Sequence, residues 1–214
     1  SDLNAHYKLM NDIDLRSWLD ENSPSQGWAP IGTSSSPFNG VFDGNNKTIK
    51  NLNIQRVNSD NVGLFGYVQA ACLKNVILLN PNIVGRNNVA ALVGNRTAST
   101  SYDESGLGQS TISNCYVTGG RVNGNDCVGG LVGKNYGDGN GNSFIIEACH
   151  NSANIYGSNE VGGICGHAQG WAGSPIYIRN TFSIGNISGS EKIGGIVGYL
   201  YSGYTWISKY DKGR

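Results

Sequence analysis

The stretch Val128-Gly129-Gly130-Leu131-Val132-Gly133 decides the fold, because near-copies of it return along the chain. The copies read VGLFG at 62–66, VAALVG at 89–94, VGGICG at 161–166 and IGGIVG at 193–198. The last glycines of successive phrases lie 28, 39, 33 and 32 residues apart. Self-similarity at a period of about 20 to 50 residues is typical of solenoids and propellers.

Two further landmarks keep step with this phrase. A four-residue segment ends nine residues before the last glycine of each later phrase: NIVG at 82–85, RVNG at 121–124, NIYG at 154–157 and NISG at 186–189. A three-residue segment begins 11 or 12 residues before the glycine of that segment: LKN at 73–75, ISN at 112–114, IEA at 146–148 and IRN at 178–180. Only the connection after each phrase varies in length. Short aliphatic runs broken by Gly and Asn indicate short strands and tight corners.

Three short strands per coil and one variable connection favour an all-β fold, a right-handed parallel β-helix. A propeller blade would need four strands in hairpins and about 40–45 residues. The right hand follows from the general chirality of parallel crossovers. Because one coil cannot bury its own inner face, equivalent residues must stack on one another. We therefore expect one internal aliphatic column, made of Leu64, Leu92, Leu131, Ile164 and Ile196.

Two corners should also repeat along the tube. At one, a Cβ is forbidden or φ is positive, and the residues are Gly66, Gly94, Gly133, Gly166 and Gly198. At the other, Asn75, Asn114 and Asn180 should bond through their amides along the axis, with Ala148 interrupting them. Cys115 and Cys149 follow that corner in adjacent coils, and we favour a reduced buried stack over a disulfide there.

We expect one β-helix domain over residues 1–214. Residues 1–60 would cap the tube, residues 61–201 would form the repeat coils, and residues 202–214 would form a partial closing coil. Trp18 and Trp28 are interpreted as a cover for the end of the core, since a terminal repeat needs a cap. A sugar-binding platform is the alternative for these two rings.

Composition excludes several classes of protein. Lys+Arg and Asp+Glu are 15 each, so the basic excess of a nucleic-acid binder is missing. No stretch approaches the ~20 apolar residues that cross a membrane. The five cysteines form no CxxC pair, which argues against a zinc site and a disulfide framework. The chain opens on Ser without a signal segment, so we expect targeting information to lie outside this stretch.

The repeats, together with YKLMNDIDL at 7–15 and FNGVFDGNNKTIKNLNI at 38–54, resemble bacterial proteins that bear GLUG motifs. The resemblance covers roughly residues 7–201. Such proteins include large secreted or cell-surface proteins, among them adhesin-like proteins and non-catalytic regions of some IgA-cleaving proteases. The resemblance implies a β-helix in an extracellular or cell-surface setting, further domains in a larger parent protein, and no catalytic residues.

Parallel β-helices also carry polysaccharide lyases and glycoside hydrolases, which need convergent carboxylates or a carboxylate with a base. The carboxylates here are scattered, and we interpret Asp126, Glu160 and Glu191 as solvated turn residues. The histidines show no metal-binding spacing, and Asp138–Asn142 fails the pattern of a calcium loop. Asp12 and Asp14 are expected to make hydrogen bonds in the terminal coil. The sequence thus predicts no catalytic residue, no metal and no cofactor.

The variable connections carry the binding candidates: Tyr102, Tyr136, Trp171, Tyr201 and Tyr204. These rings follow the same landmark in successive coils, so we expect them on one side of the tube. Ring faces beside Asn, Ser and Gly suit a glycan or a protein surface, although the rings would equally shield their own loops. The sequence predicts a non-catalytic, adhesin-like binding or stalk module with a glycan or a host surface protein as partner. The alternatives are a β-helix carbohydrate-active enzyme and a pure spacer.

Overall fold

The predicted parallel β-helix is confirmed by the computed structural model, which describes residues 2–97, 110–137, 143–171 and 174–202. Short strands of successive coils pair in parallel and build five sheets along the tube. Each complete coil gives one strand to each sheet, so the expected number of three strands per coil is wrong and the number is five. The chain bends once more after Asn75 and once more inside the glycine phrase, which splits segments that the sequence presents as continuous.

The strands follow the coils in order. The N-terminal segment contains β1 (His6–Lys8), β2 (Ile13–Asp14) and helix α1 (Arg16–Asn22). The first coil contains β3 (Val41–Asp43), β4 (Thr48–Lys50), β5 (Asn53–Gln55) and β6 (Phe65–Gln69). The second contains β7 (Cys72–Lys74), β8 (Ile77–Leu79), β9 (Asn82–Val84), β10 (Asn87–Ala90) and β11 (Val93–Thr97). The third contains β12 (Ser110–Ser113), β13 (Tyr116–Thr118), β14 (Arg121–Asn123), β15 (Asp126–Gly129) and β16 (Val132–Tyr136).

The fourth coil contains β17 (Phe144–Glu147), β18 (His150–Asn151), β19 (Asn154–Tyr156), β20 (Asn159–Gly162) and β21 (Cys165–Gly170). The fifth contains β22 (Ile176–Arg179), β23 (Phe182–Ser183), β24 (Ile187–Ser188), β25 (Glu191–Gly194) and β26 (Val197–Ser202). The strands β3 to β5 pair with the second coil, so coil structure begins inside the segment that the sequence assigns to the cap. No helix among the described residues is long and apolar enough to cross a membrane.

The internal aliphatic column forms as expected. Leu64, Leu92, Leu131 and Ile164 are at most 3% exposed, and Ile196 packs on the same core from the last coil. Backbone bonds tie neighbouring members together: Val93 N–H donates to the carbonyl of Leu131, and Val132 N–H donates to that of Ile164. Like residues therefore stack from coil to coil, and the core is continuous along the tube.

Left-handed backbone marks the asparagine corner, whereas the glycines that end the repeated phrases do not have a positive φ. After the first sheet, Asn75, Asn114, Ala148 and Asn180 all have φ between 51° and 57°. Asn is the non-glycine residue that tolerates this region best, which explains its recurrence. Asn75 Nδ2 donates to Asp43 Oδ1 at 2.9 Å, whereas the amide-to-amide bonds found along the axis join Asn82 to Asn53 and Asn88 to Asn61.

The N-terminal segment contributes polar bonds and part of the core. Asp12 Oδ1 accepts from the Thr48 N–H at 2.8 Å, and Asp14 Oδ1 accepts from Asn51 Nδ2 at 2.8 Å, as expected of terminal-coil residues. Trp28 packs against the core and donates from Nε1 to the carbonyl of Leu64, while Trp18 on α1 is 51% exposed with its ring 6.0 Å from that of Trp28. Trp28 thus covers the core, and Trp18 lies outside it.

Buried cysteine and arginine side chains lie between the coils. Cys115 and Cys149 are free thiols in adjacent coils, and the Cys115 N–H approaches Cys149 Sγ at 3.5 Å. Arg96 is fully buried, donates from Nε to Ser110 Oγ at 2.9 Å and lies over the Phe144 ring at 4.9 Å. Burial lowers the pKa of Arg96 to about 9. The Arg96 guanidinium therefore joins β11 to β12, the two strands on either side of the longest connection between repeats.

Candidate functional site

Three of the five binding residues expected from the sequence, Tyr136, Trp171 and Tyr201, lie at the end of the fifth sheet (β6, β11, β16, β21 and β26). Tyr136 ends β16 and pairs in register with Gln169, which in turn pairs with Tyr201. Neighbouring strands are about 4.8 Å apart, so Tyr136 and Tyr201 share one row with an amide side chain between them. Trp171 follows β21 directly. Tyr102 and Tyr204 lie outside the described residues.

Two of these aromatic rings meet at the surface. The ring centroids of Trp171 and Tyr201 are 5.9 Å apart with an angle of 60° between the planes, and the residues are 39% and 45% exposed. Tyr136 is half-buried, and the Lys134 ammonium lies 5.8 Å from its ring centroid. We call Tyr136, Gln169, Trp171 and Tyr201 the aromatic row. It offers exposed ring faces with a polar group among them.

A second surface feature is an open groove on the third sheet (β5, β9, β14, β19 and β24). It has a volume of about 630 Å³ and is lined by Asn80, Pro81, Asn82, Gly120, Arg121, Asn123, Asn154 and Tyr156. Arg121 Nε donates to Asn82 Oδ1 at 2.7 Å, which fixes the guanidinium over the asparagine row. Amides, a guanidinium and one phenol ring form a polar surface that sequence reasoning did not single out.

A third arrangement is buried beside the fourth sheet (β10, β15, β20 and β25). His167 Nδ1 lies 2.7 Å from Glu160 Oε2, and Cys127 Sγ donates to the same oxygen at 3.1 Å. Lys192 Nζ donates to the other oxygen, Oε1, at 3.0 Å. We call Cys127, Glu160 and His167 the thiol–carboxylate–imidazole cluster. Its members come from β15, β20 and β21 and are 8–9% exposed.

The electrostatics of this cluster oppose nucleophilic chemistry. Burial and the hydrogen bond to Glu160 raise the pKa of the Cys127 thiol well above its ordinary value. Burial also raises the pKa of Glu160, but the bonds from His167, Lys192 and Cys127 outweigh burial and lower it overall. The Lys192 pKa is raised by its bond to Glu160. The cluster therefore holds a carboxylate beside a protonated thiol, and a thiol is a poor nucleophile.

The interpretation of Glu160 as a solvated turn residue is wrong. Its side chain occupies the same corner as Asn61 and Asn88 of earlier coils, with φ 56°, and points its carboxylate at His167. Asp126 and Glu191 are exposed, as expected, and pair with Asn159 one residue before the corner. The signal was available in the sequence, because Cys127, Glu160 and Lys192 each directly precede the Val-Gly-Gly or Ile-Gly-Gly of their phrase.

The other two described histidines do not join this cluster. His6 lies in β1, and His150 is stacked between Tyr116 and Phe182 on the second sheet, with ring centroids 4.4 Å and 5.1 Å apart. Burial lowers the pKa of His150. The Asp138–Asn142 loop lies outside the described residues.

Comparison with known proteins finds one family match and relatives of this chain. Residues 124–156 match the model of a family described as the GLUG motif. Halomucin of Haloquadratum walsbyi is 33% identical over 130 residues, which is 60% of this chain and 1% of halomucin. A protein of Evansella cellulosilytica, provisionally named a Gly-rich membrane protein, is 35% identical over 89 residues, or 42% of this chain and 10% of that protein. This chain thus spans a small part of both relatives.

A solved structure shares the fold. It is a crystal structure of a protein from Bacteroides ovatus, provisionally named an immunoglobulin A1 protease, with a TM-score of 0.63 over 94% of this chain and 57% of that chain. At 22% sequence identity the likeness concerns the fold alone. The segment that matches the GLUG motif contains one copy of the recurring glycine phrase, and the same phrase and the same parallel pairing return in the neighbouring coils.

Proposed function

We propose that this chain is a non-catalytic binding module of a cell-surface protein and that the aromatic row takes a glycan. The observation that carries the proposal is the pair of half-exposed rings, Trp171 and Tyr201, in contact at the end of the fifth sheet. The names of its relatives, a halomucin and a Gly-rich membrane protein, support a location at the cell surface.

The chemistry of the row suits a sugar. Exposed ring faces pack against the apolar faces of pyranose rings, and a neighbouring amide such as Gln169 can exchange hydrogen bonds with hydroxyl groups. The register places Tyr136 two strands from Tyr201, about 10 Å away. A chain of several sugars can therefore contact more than one ring at once, and a host surface protein is the competing partner.

A carbohydrate-active enzyme is a weaker candidate on this structure. A glycosidase places two carboxyl groups about 5–9.5 Å apart around the scissile bond. The thiol–carboxylate–imidazole cluster contains one carboxylate, and Glu160 and His167 are each 8% exposed, which leaves a sugar little access. The absence of a second carboxylate in this cluster favours binding over hydrolysis.

A glycan array probed with the purified chain tests the proposal. We expect Trp171→Ala and Tyr201→Ala to weaken binding of the retained glycans by at least about tenfold, or ~1.4 kcal/mol, and Tyr136→Ala/Trp171→Ala to abolish it. Trp18→Ala is the matched control, because Trp18 is also half-exposed and lies 6.0 Å from another ring. That variant should bind like the unmodified chain.

Three results would count against the proposal. Retention of no glycan at all would favour a spacer or a protein partner. Equal losses in Trp18→Ala and Trp171→Ala would indicate a general effect on the fold. Loss in Arg121→Ala/Tyr156→Ala with no loss in Trp171→Ala would move the binding site to the groove on the third sheet.

A further inference from the structure

We propose that the thiol–carboxylate–imidazole cluster is a binding site for Zn²⁺, with Cys127 Sγ, Glu160 Oε2 and His167 Nδ1 as ligands. Among the described residues, these three side chains form the one group of three or more His, Cys, Asp or Glu ligand atoms that converge, all within 4.8 Å of one another. Thiolate sulfur, imidazole nitrogen and carboxylate oxygen are the three ligand types that zinc uses in proteins.

The separations are close to those of a zinc site. Cys127 Sγ and His167 Nδ1 lie 3.1 Å and 2.7 Å from Glu160 Oε2. In a tetrahedron with metal–ligand distances of about 2.0–2.3 Å, neighbouring ligand atoms are roughly 3.3–3.7 Å apart. Side-chain shifts of less than about 1 Å would open the cluster enough to admit the ion. Three protein ligands leave the fourth position of the tetrahedron to water.

Two residues next to the cluster, Lys192 and Gln169, are placed as the outer partners of a metal site would be. Lys192 Nζ holds the second oxygen of Glu160 at 3.0 Å, which leaves Oε2 directed at the other two side chains. His167 Nε2 lies 3.3 Å from Gln169 Oε1, so a partner for that ring nitrogen is in place when Nδ1 binds a metal. Such outer partners orient the ligands of metal sites.

The corner itself is a second observation. Its residue has left-handed backbone in every coil, and the first two coils use Asn61 and Asn88. In the next two coils the same backbone holds Cys127 and Glu160, with φ 55° and 56°. Neither residue is favoured in this region, and such outliers concentrate at functional sites. The substitution brings two ligand atoms together where an amide pair would otherwise lie.

Binding is balanced by the loss of one proton. The Cys127 thiol gives its proton to solvent, and the imidazole proton that Nδ1 shares with Glu160 Oε2 moves through solvent to Nε2, facing Gln169. The sulfur, the carboxylate oxygen and the freed Nδ1 then bind the cation. No oxidant or reductant is needed. Lys134 and Lys192 are the cations that face the cluster, and Lys192 has 43% of its side chain exposed, so water screens its ammonium while it holds Glu160 Oε1.

Isothermal titration of the metal-free chain with Zn²⁺ is the direct test. We expect one site per chain. Binding should weaken more than about 100-fold in Cys127→Ser and His167→Gln, which exceeds the loss caused by removing an outer partner. Cys72→Ser and His150→Gln are the matched controls, since both remove a Cys or His outside the cluster, and both should retain the site.

Replacement of Zn²⁺ by Co²⁺ keeps the proposal testable if a variant fails to fold. A thiolate ligand gives Co²⁺ a charge-transfer absorption that oxygen and nitrogen ligands lack, so the unmodified chain alone should show it. The proposal is overturned by the absence of one-to-one binding, by a Co²⁺ spectrum without that band, or by binding that Cys127→Ser retains. Binding lost equally in His150→Gln would indicate an adventitious ion only.

Discussion

Gly133 lies where the fifth-sheet strand of one coil crosses the corner of the preceding coil. A Cβ at this position would lie 2.5 Å from the Val89 nitrogen and 2.6 Å from the Asn88 carbonyl carbon. Both are backbone atoms of a corner that is itself fixed by left-handed Asn88, so neither can move without distorting the coil. This close approach explains why the phrase ends in glycine. A left-handed backbone does not explain it, because the φ of Gly133 is outside that region.

Gly133→Ala should lower the free energy of unfolding by about 1–3 kcal/mol, the range of overpacked core sites. Gly195→Ala is the control, because a Cβ there would meet nothing within 4 Å. Urea denaturation of both variants measures the difference. Similar stabilities for the two would refute the close-contact explanation of the repeated phrase.

The turn between β3 and β4 shows how one corner is stabilised by charge. Asp43 Oδ1 accepts from Asn75 Nδ2 at 2.9 Å and from the Asn45 N–H at 2.8 Å. The Asn75 amide, with smaller help from Asn45 and Lys74, lowers the pKa of Asp43 despite its burial. The same carboxylate therefore closes its own turn and joins the first two coils.

Asp43→Asn should lower the free energy of unfolding by less than about 1 kcal/mol at neutral pH, because solvent screens a partly exposed charge. Because folding lowers the Asp43 pKa, the contribution is present above the unfolded value of 3.8 and disappears as the pH falls through the lower folded value. Unfolding measured from pH 7 to pH 2 should show the two proteins converging below about pH 4. Asp126→Asn, at an exposed position, serves as control, and a gap that stays constant with pH would contradict the assignment.

The sequence predicted the coil and its stacking because a nine-residue spacing between two landmarks admits only one register. It did not predict five strands, since strands of two to six residues show too little alternation to be separated from their corners. The cluster escaped for a similar reason. Cys127 and Glu160 belong to different coils, and the sequence analysis groups Glu160 with Asp126, although Asp126 pairs with Asn159, one residue before Glu160. Side chains at a left-handed corner do not follow the alternation of a strand.

As a whole, the molecule is a stack in which each coil contacts its two neighbours. Ile164 donates its N–H to the Ile196 carbonyl, and the Ile164 carbonyl accepts from Leu131, so its coil is held on both sides. In the last coil, Ile193 is 49% exposed and Ile187 is half-buried, whereas Val161 and Ile155, their partners in the preceding coil, are fully buried. The stability of such a stack is approximately the sum of the intrinsic free energies of the coils and of the interfaces between neighbours. Local stability should therefore be highest in the middle coils, which have an interface on both sides.

Ile164→Ala and Ile196→Ala test this distribution with the same chemical change at two places in one column. Ile164 is 0% exposed, so Ile164→Ala should lower the free energy of unfolding by about 2–5 kcal/mol, the range for a buried Ile. Ile196 is half-buried, so Ile196→Ala should lower the free energy of unfolding clearly less.

Hydrogen exchange followed by mass spectrometry measures directly how stability is distributed among the coils. Peptides from the second, third and fourth coils should exchange most slowly, and Ile164→Ala should speed exchange in its own coil and both neighbours, whereas Ile196→Ala should act on the last coil alone. Uniform exchange along the tube, or equal costs for the two variants, would mean that the coils unfold as one unit and that stacking between neighbours does not set local stability.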